Sequence, residues 1–286
     1  MNRTLLLLCL FPFWGCSQFG RLDRLAPLPR SINECSGMVS LDGQTVWVLE
    51  DGGNSSKLRK LDTRGEVLRN LDIEDAKNED WEALTTDNRG NLYIGDFGNN
   101  NNERKDLVVY RMPLPKSAGQ ESVKAERIDF SYPDQLKFPP KKAGRNFDVE
   151  AFFHFGDSLY LITKNRADPF DGTATVYRLP DQPGQYQAET VARLRLCDDA
   201  RTCIITDAAL SPKGDRLVLL TYGKLFVYEA FSPSRLGQQE GRMIELQTNT
   251  QLEAVCFASD TLLYLADERS LGRGGNLYRL PLPRPK

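Results

Sequence analysis

Glu82-Ala83-Leu84-Thr85-Thr86-Asp87-Asn88-Arg89-Gly90-Asn91-Leu92-Tyr93-Ile94-Gly95-Asp96 decides the fold, because its pattern returns four more times. An apolar start leads to a turn at Arg89-Gly90, a second apolar run and a polar end. The other copies begin at Ser36-Gly37-Met38, Glu150-Ala151-Phe152, Ala208-Ala209-Leu210 and Glu253-Ala254-Val255. Their turns are Asp42-Gly43, Gly156-Asp157, Gly214-Asp215 and Ser259-Asp260. Their second runs are Val46 to Leu49, Leu159 to Ile162, Leu217 to Leu220 and Leu262 to Leu265. A third strand follows, nearly copied in Tyr110-Arg111-Met112-Pro113, Tyr177-Arg178-Leu179-Pro180 and Tyr278-Arg279-Leu280-Pro281. Weaker relatives are Arg59-Lys60-Leu61 and Val227-Tyr228-Glu229. A fourth strand fits Glu66 to Asp72, Ala125 to Tyr132, Ala188 to Leu196 and Arg242 to Leu246.

Four short antiparallel strands per unit, repeated, predict an all-β propeller of five blades. A blade cannot bury both faces alone, so neighbours must stack. The last unit lacks a fourth strand, and Arg21 to Leu28 can supply it and close the ring. The interval from Glu82 to Glu150 is the longest and keeps six blades open as the alternative. It also holds a loop rich in Pro and Lys. An ordinary β-sandwich is the plainer reading.

The repeat places charges. Its first position holds Ser36, Glu82, Glu150, Ala208 and Glu253; its fifteenth holds Glu50, Asp96, Lys164, Tyr222 and Asp267. The start of strand one and the end of strand two lie together near a propeller axis. These residues are therefore expected around one mouth, with Asp51, Asp80, Asp148 and Glu268 beside them in sequence. Lys164 can offset Glu150, and Arg104, Arg166 and Arg269 can reach over from adjoining loops. Crowded carboxylates near a low-dielectric wall need protons or a cation. A hard divalent ion, most simply calcium, is expected on Glu82, Glu150, Glu253, Asp96, Asp267, Glu50 and Asn99. Asn99 comes from the Gly95-to-Asn102 loop, rich in amide oxygens but unlike an EF-hand. The plainer readings are an acidic ring that accepts backbone N–H bonds, and a ring that binds a positively charged ligand directly.

The 286 residues carry 37 Lys+Arg against 39 Asp+Glu, a formal charge of −2 that argues against a nucleic-acid partner. Composition excludes a disordered chain and a polytopic membrane protein. His154 is the one histidine, which weighs against a His-rich metal site or a Ser-His-Asp hydrolase. Its place along the first strand puts it toward the opposite mouth. Gly-x-Ser-x-Gly, P-loop and paired CxxC motifs are missing from the sequence.

Arg3, the apolar run Leu5 to Phe13 and Trp14-Gly15-Cys16 read as an export signal over residues 1–15. Gly15-Cys16 resembles a bacterial lipobox, which implies that Cys16 is lipidated and begins the mature chain. Phe13 and Trp14 depart from that motif, and ordinary cleavage after Gly15 or Ser17 is the alternative. Ser17 suits the outer membrane. Residues 16–30 then form linker and closing strand, and 31–286 the propeller. Export permits disulfides, and Cys197 and Cys203, flanking a short polar loop, are the expected pair. Cys35 and Cys256 are either paired or simply buried.

Asp80-Trp81-Glu82-Ala83-Leu84 with Tyr93-Ile94-Gly95-Asp96-Phe97-Gly98-Asn99-Asn100 resembles a group of secreted bacterial β-propeller proteins. So do Asn146-Phe147-Asp148-Val149-Glu150-Ala151 with Leu161-Ile162-Thr163-Lys164-Asn165-Arg166, and Thr206-Asp207-Ala208-Ala209-Leu210-Ser211-Pro212 with Leu220-Thr221-Tyr222. The likeness spans residues 31–284. More remotely, Glu-Ala at an inner-strand start is similar to phytase-linked esterase-like, regucalcin and gluconolactonase propellers. Those relatives imply an axial calcium ion and hydrolysis of esters or lactones, with Glu82, Glu150 and Glu253 at the matching position. Five units in place of six, and Ala208 in the ring, depart from that pattern. The expected function is an exported binding or assembly module that meets a protein or small ligand at its acidic face and a membrane only through the lipid. The alternative is a calcium-dependent esterase, lactonase or phosphoesterase.

Overall fold

The computed structural model describes residues 22–284 apart from Lys116, Ala118 and Leu271. The signal segment and Cys16 lie outside the described residues.

The chain is a five-bladed β-propeller. Its innermost strands are Cys35–Val39, Trp81–Thr86, Asp148–Phe155, Ile205–Leu210 and Leu252–Ser259. Each contacts the next around the ring, and Leu252–Ser259 returns to Cys35–Val39. The second strands, such as Thr45–Glu50 and Leu217's strand Arg216–Thr221, are almost wholly buried. Five apolar clusters hold the ring, one at each junction between neighbouring blades. Trp47 and Leu49 of the first blade, for example, pack with Trp81 and Ile94 of the second. Both faces of a blade are thus covered, which is why its inner strands read as continuous apolar runs rather than alternating ones.

Ring closure uses Asp23–Pro27, which pairs antiparallel with Asn276–Pro281 as the outer strand of the last blade. Two further strands were not legible in the repeat. Ser122–Lys124 adds in parallel to the outer strand of blade one, Val67–Glu74. Gly184–Gln187 adds likewise to Glu126–Ser131 of blade two. Each comes from the following blade, so blades one to two and two to three are stapled at their rims by backbone hydrogen bonds. The long interval after Glu82 holds one such strand and a loop, not a sixth blade.

Every inner strand carries a bulge near its start. The ladder skips Ser36, Glu82, Glu150, Thr206 and Glu253. A bulge leaves one residue unpaired and re-aims its side chain. The fourth blade therefore presents Thr206, not Ala208, at the first repeat position. The spacing to the fifteenth position is also uneven: Thr163 and Thr221 take the places expected for Lys164 and Tyr222. The cause is the hairpin turn, since turn length sets the register of the returning strand. Blade three turns between Phe155 and Ser158, whereas blade four turns between Leu210 and Leu217.

Candidate cation site at the axial mouth

The bulges create the site. Glu82, Glu150 and Glu253 are buried, and Glu82 and Glu253 each feel the charge of Glu150. The two bulged hydroxyl residues join blades instead. Ser36 Oγ donates to the Glu82 carbonyl at 2.9 Å, and Thr206 Oγ1 to the Leu252 carbonyl at 2.7 Å.

The fifteenth-position row has other duties. Glu50 accepts the Asn33 N–H at 3.1 Å and pairs with Arg59. Asp96 accepts the N–H groups of Glu79 and Asp80 and pairs with Arg104 at 2.9 Å. Thr163 Oγ1 donates to Asn146, and Thr221 Oγ1 to the Thr202 carbonyl. In these four blades the row fixes the loop that enters the blade. Asp267 instead grips its own third strand, through Asn276 N–H at 2.7 Å and Tyr278 Oη at 2.8 Å. Asn99 is spent likewise: its side-chain oxygen accepts Glu103 and Arg104 N–H, and its amide donates to the Phe147 carbonyl. Glu50, Asp96, Asp267 and Asn99 are thus engaged away from the central cluster. Arg269 reaches the Leu28 carbonyl at 2.8 Å rather than an acid.

The residues beside these rows supply the rest of the mouth. One oxygen each of Asp51, Asp80 and Glu82 lies within 4.8 Å of the other two. Asp148, Glu150 and Glu268 act on them electrostatically, and Glu253 joins through Glu150 and Glu268. Arg104, paired with Asp96, pulls against the rise of Asp80, and two further cations answer within the cluster. Lys164 Nζ binds Glu150 Oε1 at 2.9 Å; Arg166 binds Asp148 at 2.6 Å and Glu150 at 3.2 Å. The charge that remains shows in the proton affinities. Burial, then the neighbouring Asp51, pushes Asp80 up to about 7. Burial, then Asp51 and Glu34, does the same to Glu268, also to about 7. Burial and Glu150 bring Asp148 to about 6 against the pull of Arg166. Burial with Glu150 raises Glu82 well above the usual carboxylate range, and burial raises Glu253 in spite of Lys164.

Two further features fit a cation. A Cβ added at Gly98 would meet Glu82 Oε1 at 2.2 Å and Asp80 Oδ2 at 2.5 Å. At Gly52 it would meet Asp80 Oδ1 at 2.5 Å. Two glycines thus leave room for carboxylates pressed close together. Glu253 Oε2 is buried without a hydrogen-bond partner among the described residues, while Tyr222 bonds the same carboxyl group. An unmet buried oxygen is costly, and a cation would satisfy it. The donors are all oxygens, which suits calcium better than a transition metal.

The opposite mouth holds a second cluster, in which Asp87, His154 and Asp181 bring ligand-type atoms within 4.8 Å. Arg89 lies on it, touching Asp181 and reaching Asp87 at 3.5 Å. His154 Nε2 bonds Asp181 at 2.8 Å. A cavity of about 810 Å³ opens there, lined by the inner-strand ends and turns of all five blades. Away from both mouths, Cys197 and Cys203 are bridged, Cα to Cα 5.8 Å, and Cys35 and Cys256 are buried free thiols.

No family model and no curated protein matches the chain. Solved structures similar to it include the PQQ-bound form of aldose sugar dehydrogenase from Streptomyces coelicolor. That chain is 11% identical with a TM-score of 0.54, over 92% of this chain and 98% of that one. The WD40 β-propeller domain of Doa1 is 12% identical with a TM-score of 0.35, over 90% of this chain and 72% of that one. At such identities the likeness to the dehydrogenase extends to the propeller fold alone.

Proposed function

We propose that this propeller is an exported binding module whose acidic mouth takes a calcium-class divalent cation. The observation that carries the reading is the Asp51–Asp80–Glu82 oxygen cluster, cradled by Gly52 and Gly98. These three residues would hold the ion. Glu253, with its unmet oxygen, would complete the shell directly or through water. A bound ion would polarise an oxygen of whatever protein or small ligand meets this face. Lys164 keeps its proton, because Glu150 and Glu253 overcome the cost of its burial, and serves to hold Glu150 in place.

Export and a lipid at Cys16 belong to the same proposal and would place the propeller outside the cytoplasm, tethered to a membrane. Globomycin should then accumulate the precursor, and labelled palmitate should enter the wild-type chain but not Cys16→Ala.

The cation reading is tested by melting the protein in calcium and in chelator. At an ion concentration a hundredfold above the dissociation constant, calcium should add about 2.7 kcal/mol. Glu82→Ala with Glu253→Ala should abolish the difference. A wild type that melts alike in calcium and chelator, with no heat of calcium binding by calorimetry, overturns the site. Generic esters and lactones belong in the same series, since chelator-sensitive turnover would make the protein a hydrolase.

A further inference from the structure

We infer that residues 135–145, the loop entering blade three, form a docking element for an anionic membrane surface. Gln135-Leu136-Lys137-Phe138-Pro139-Pro140-Lys141-Lys142-Ala143-Gly144-Arg145 carries four cations and no acid, in a chain whose formal charge is −2. Leu136 is 86% exposed and Phe138 39%. Such exposure is what solvent discourages, and here it is held in place. Gln135 is buried and donates to the Asn102 carbonyl at 2.9 Å. Tyr177 fixes the preceding Asp134 at 2.9 Å. The Lys142 and Arg145 carbonyls accept the N–H groups of Asp168 and Arg166. The ammonium of Lys105 lies 4.8 Å from the Phe138 ring centroid. Both ends are pinned, and the apolar tip is presented outward.

Two apolar side chains one residue apart, ringed by lysines, match a lipid surface better than a protein. A stable protein interface buries roughly 800 Å² on each partner. Two side chains fall far short of that, yet they can enter the acyl boundary while each nearby Lys is drawn to anionic headgroups. The loop's attachments to Arg166, which pairs with Asp148 and Glu150, put it beside the acidic mouth.

The test uses the full chain throughout, so that the N-terminal apolar run is common to every sample, and chelator throughout, so that the outcome is independent of the cation site. Vesicles of phosphatidylcholine mixed with phosphatidylglycerol are compared with phosphatidylcholine alone. Lys137→Glu with Lys141→Glu and Lys142→Glu should weaken binding to the anionic vesicles on the order of a hundredfold. Leu136→Ser with Phe138→Ser should weaken it about tenfold, with an unchanged melting temperature. Phe138→Trp reports insertion as a blue shift and as quenching from brominated acyl chains in excess of the wild type, whose Trp14, Trp47 and Trp81 are common to both samples. The proposal is overturned if the triple reversal binds anionic vesicles as well as wild type does, or if the tryptophan stays unquenched. It is equally overturned if the same substitutions abolish binding to another protein while leaving vesicle binding untouched.

Discussion

The two mouths of the propeller each gather three acidic or ligand-type side chains within the same 4.8 Å, and they are opposites. At one, Asp87 accepts backbone N–H groups of Arg89 and Asn91, the Asn91 amide and Tyr93 Oη. Burial works against its ionisation, but these bonds win and hold it at about 2. Asp181 is likewise held low, against burial, by His154, Gln182 and Arg89. At the other, Asp80 accepts no hydrogen bond from the described residues on its carboxylate and stands at about 7. A cluster of ligating atoms is therefore not yet a metal site. What separates the two is whether the chain itself has already supplied the positive charge. Arg89 does so at the first mouth, and Lys164 with Arg166 does so only in part at the second.

Removing that charge should have the largest effect. Arg89→Met removes the cation that touches Asp181 and reaches Asp87, leaving both carboxylates buried without it. Breaking a buried pair costs roughly 3–5 kcal/mol, and the 42% exposure of Arg89 brings the expected loss to about 2 kcal/mol in denaturant unfolding at neutral pH. Neutralising the acidic mouth should do the reverse. In chelator, Asp80→Asn with Glu82→Gln should gain about 1 kcal/mol, because it relieves repulsion that Arg104, Lys164 and Arg166 offset only in part. A double variant that is less stable than wild type in chelator would show that these carboxylates are structural, and the contrast between the mouths would fail.

The pH dependence of stability should carry opposite slopes from the two mouths. Asp80, facing Asp51, Arg104, Asp148 and Glu150, has its folded value raised from 3.8 to about 7. Its contribution is complete below 3.8 and is lost as pH rises through about 7. Glu268 behaves alike between 4.5 and about 7. Asp87, lowered to about 2, contributes above 3.8, and that contribution is lost as pH falls through about 2. In chelator the melting temperature should therefore peak near mildly acid pH and fall toward alkaline pH. Calcium should flatten the alkaline slope, and Asp80→Asn with Glu82→Gln should flatten it without calcium. An alkaline slope that persists in that double variant would assign it elsewhere.

The sequence shows the fold clearly and the site only halfway, and the reason lies in what a repeat records. Apolar runs such as Leu92 to Ile94 and Leu217 to Leu220 are dictated by burial on both faces, so every blade must repeat them. Glu82, Glu150 and Glu253 could be read because their bulges recur at one position. Counting residues between positions failed in blades three and four, where hairpin turns of different length moved Lys164 and Tyr222 out of the row. It also gave Asp96 and Glu50 the same weight as the glutamates. Asp96 and Glu50 repeat because loops need bracing, whereas Asp51 and Asp80 make up the cluster and recur only loosely. A useful signal was the glycine next to each acidic segment: Gly52 follows Asp51, and Gly98 follows Asp96-Phe97. The outer strands Ser122–Lys124 and Gly184–Gln187 stayed hidden because a short parallel edge strand carries little pattern of its own.

Glycines give the finest division between the mouths. Gly156, in the turn beside His154, has φ +65° and nothing within 4 Å of an added Cβ. It is needed for its backbone, so Gly156→Ala should cost about 1 kcal/mol and leave calcium binding unchanged. Gly98 lies outside the left-handed region and is needed for space, since its added Cβ would strike Glu82 Oε1 and Asp80 Oδ2. Carboxylate ends can swing aside, so Gly98→Ala should cost less than about 1 kcal/mol of stability. The same displacement moves two ligands out of position and should weaken calcium roughly tenfold by calorimetry. Equal calcium affinity in the two glycine variants would mean that the space at Gly98 serves only packing, and the acidic mouth would lose the geometric half of its case.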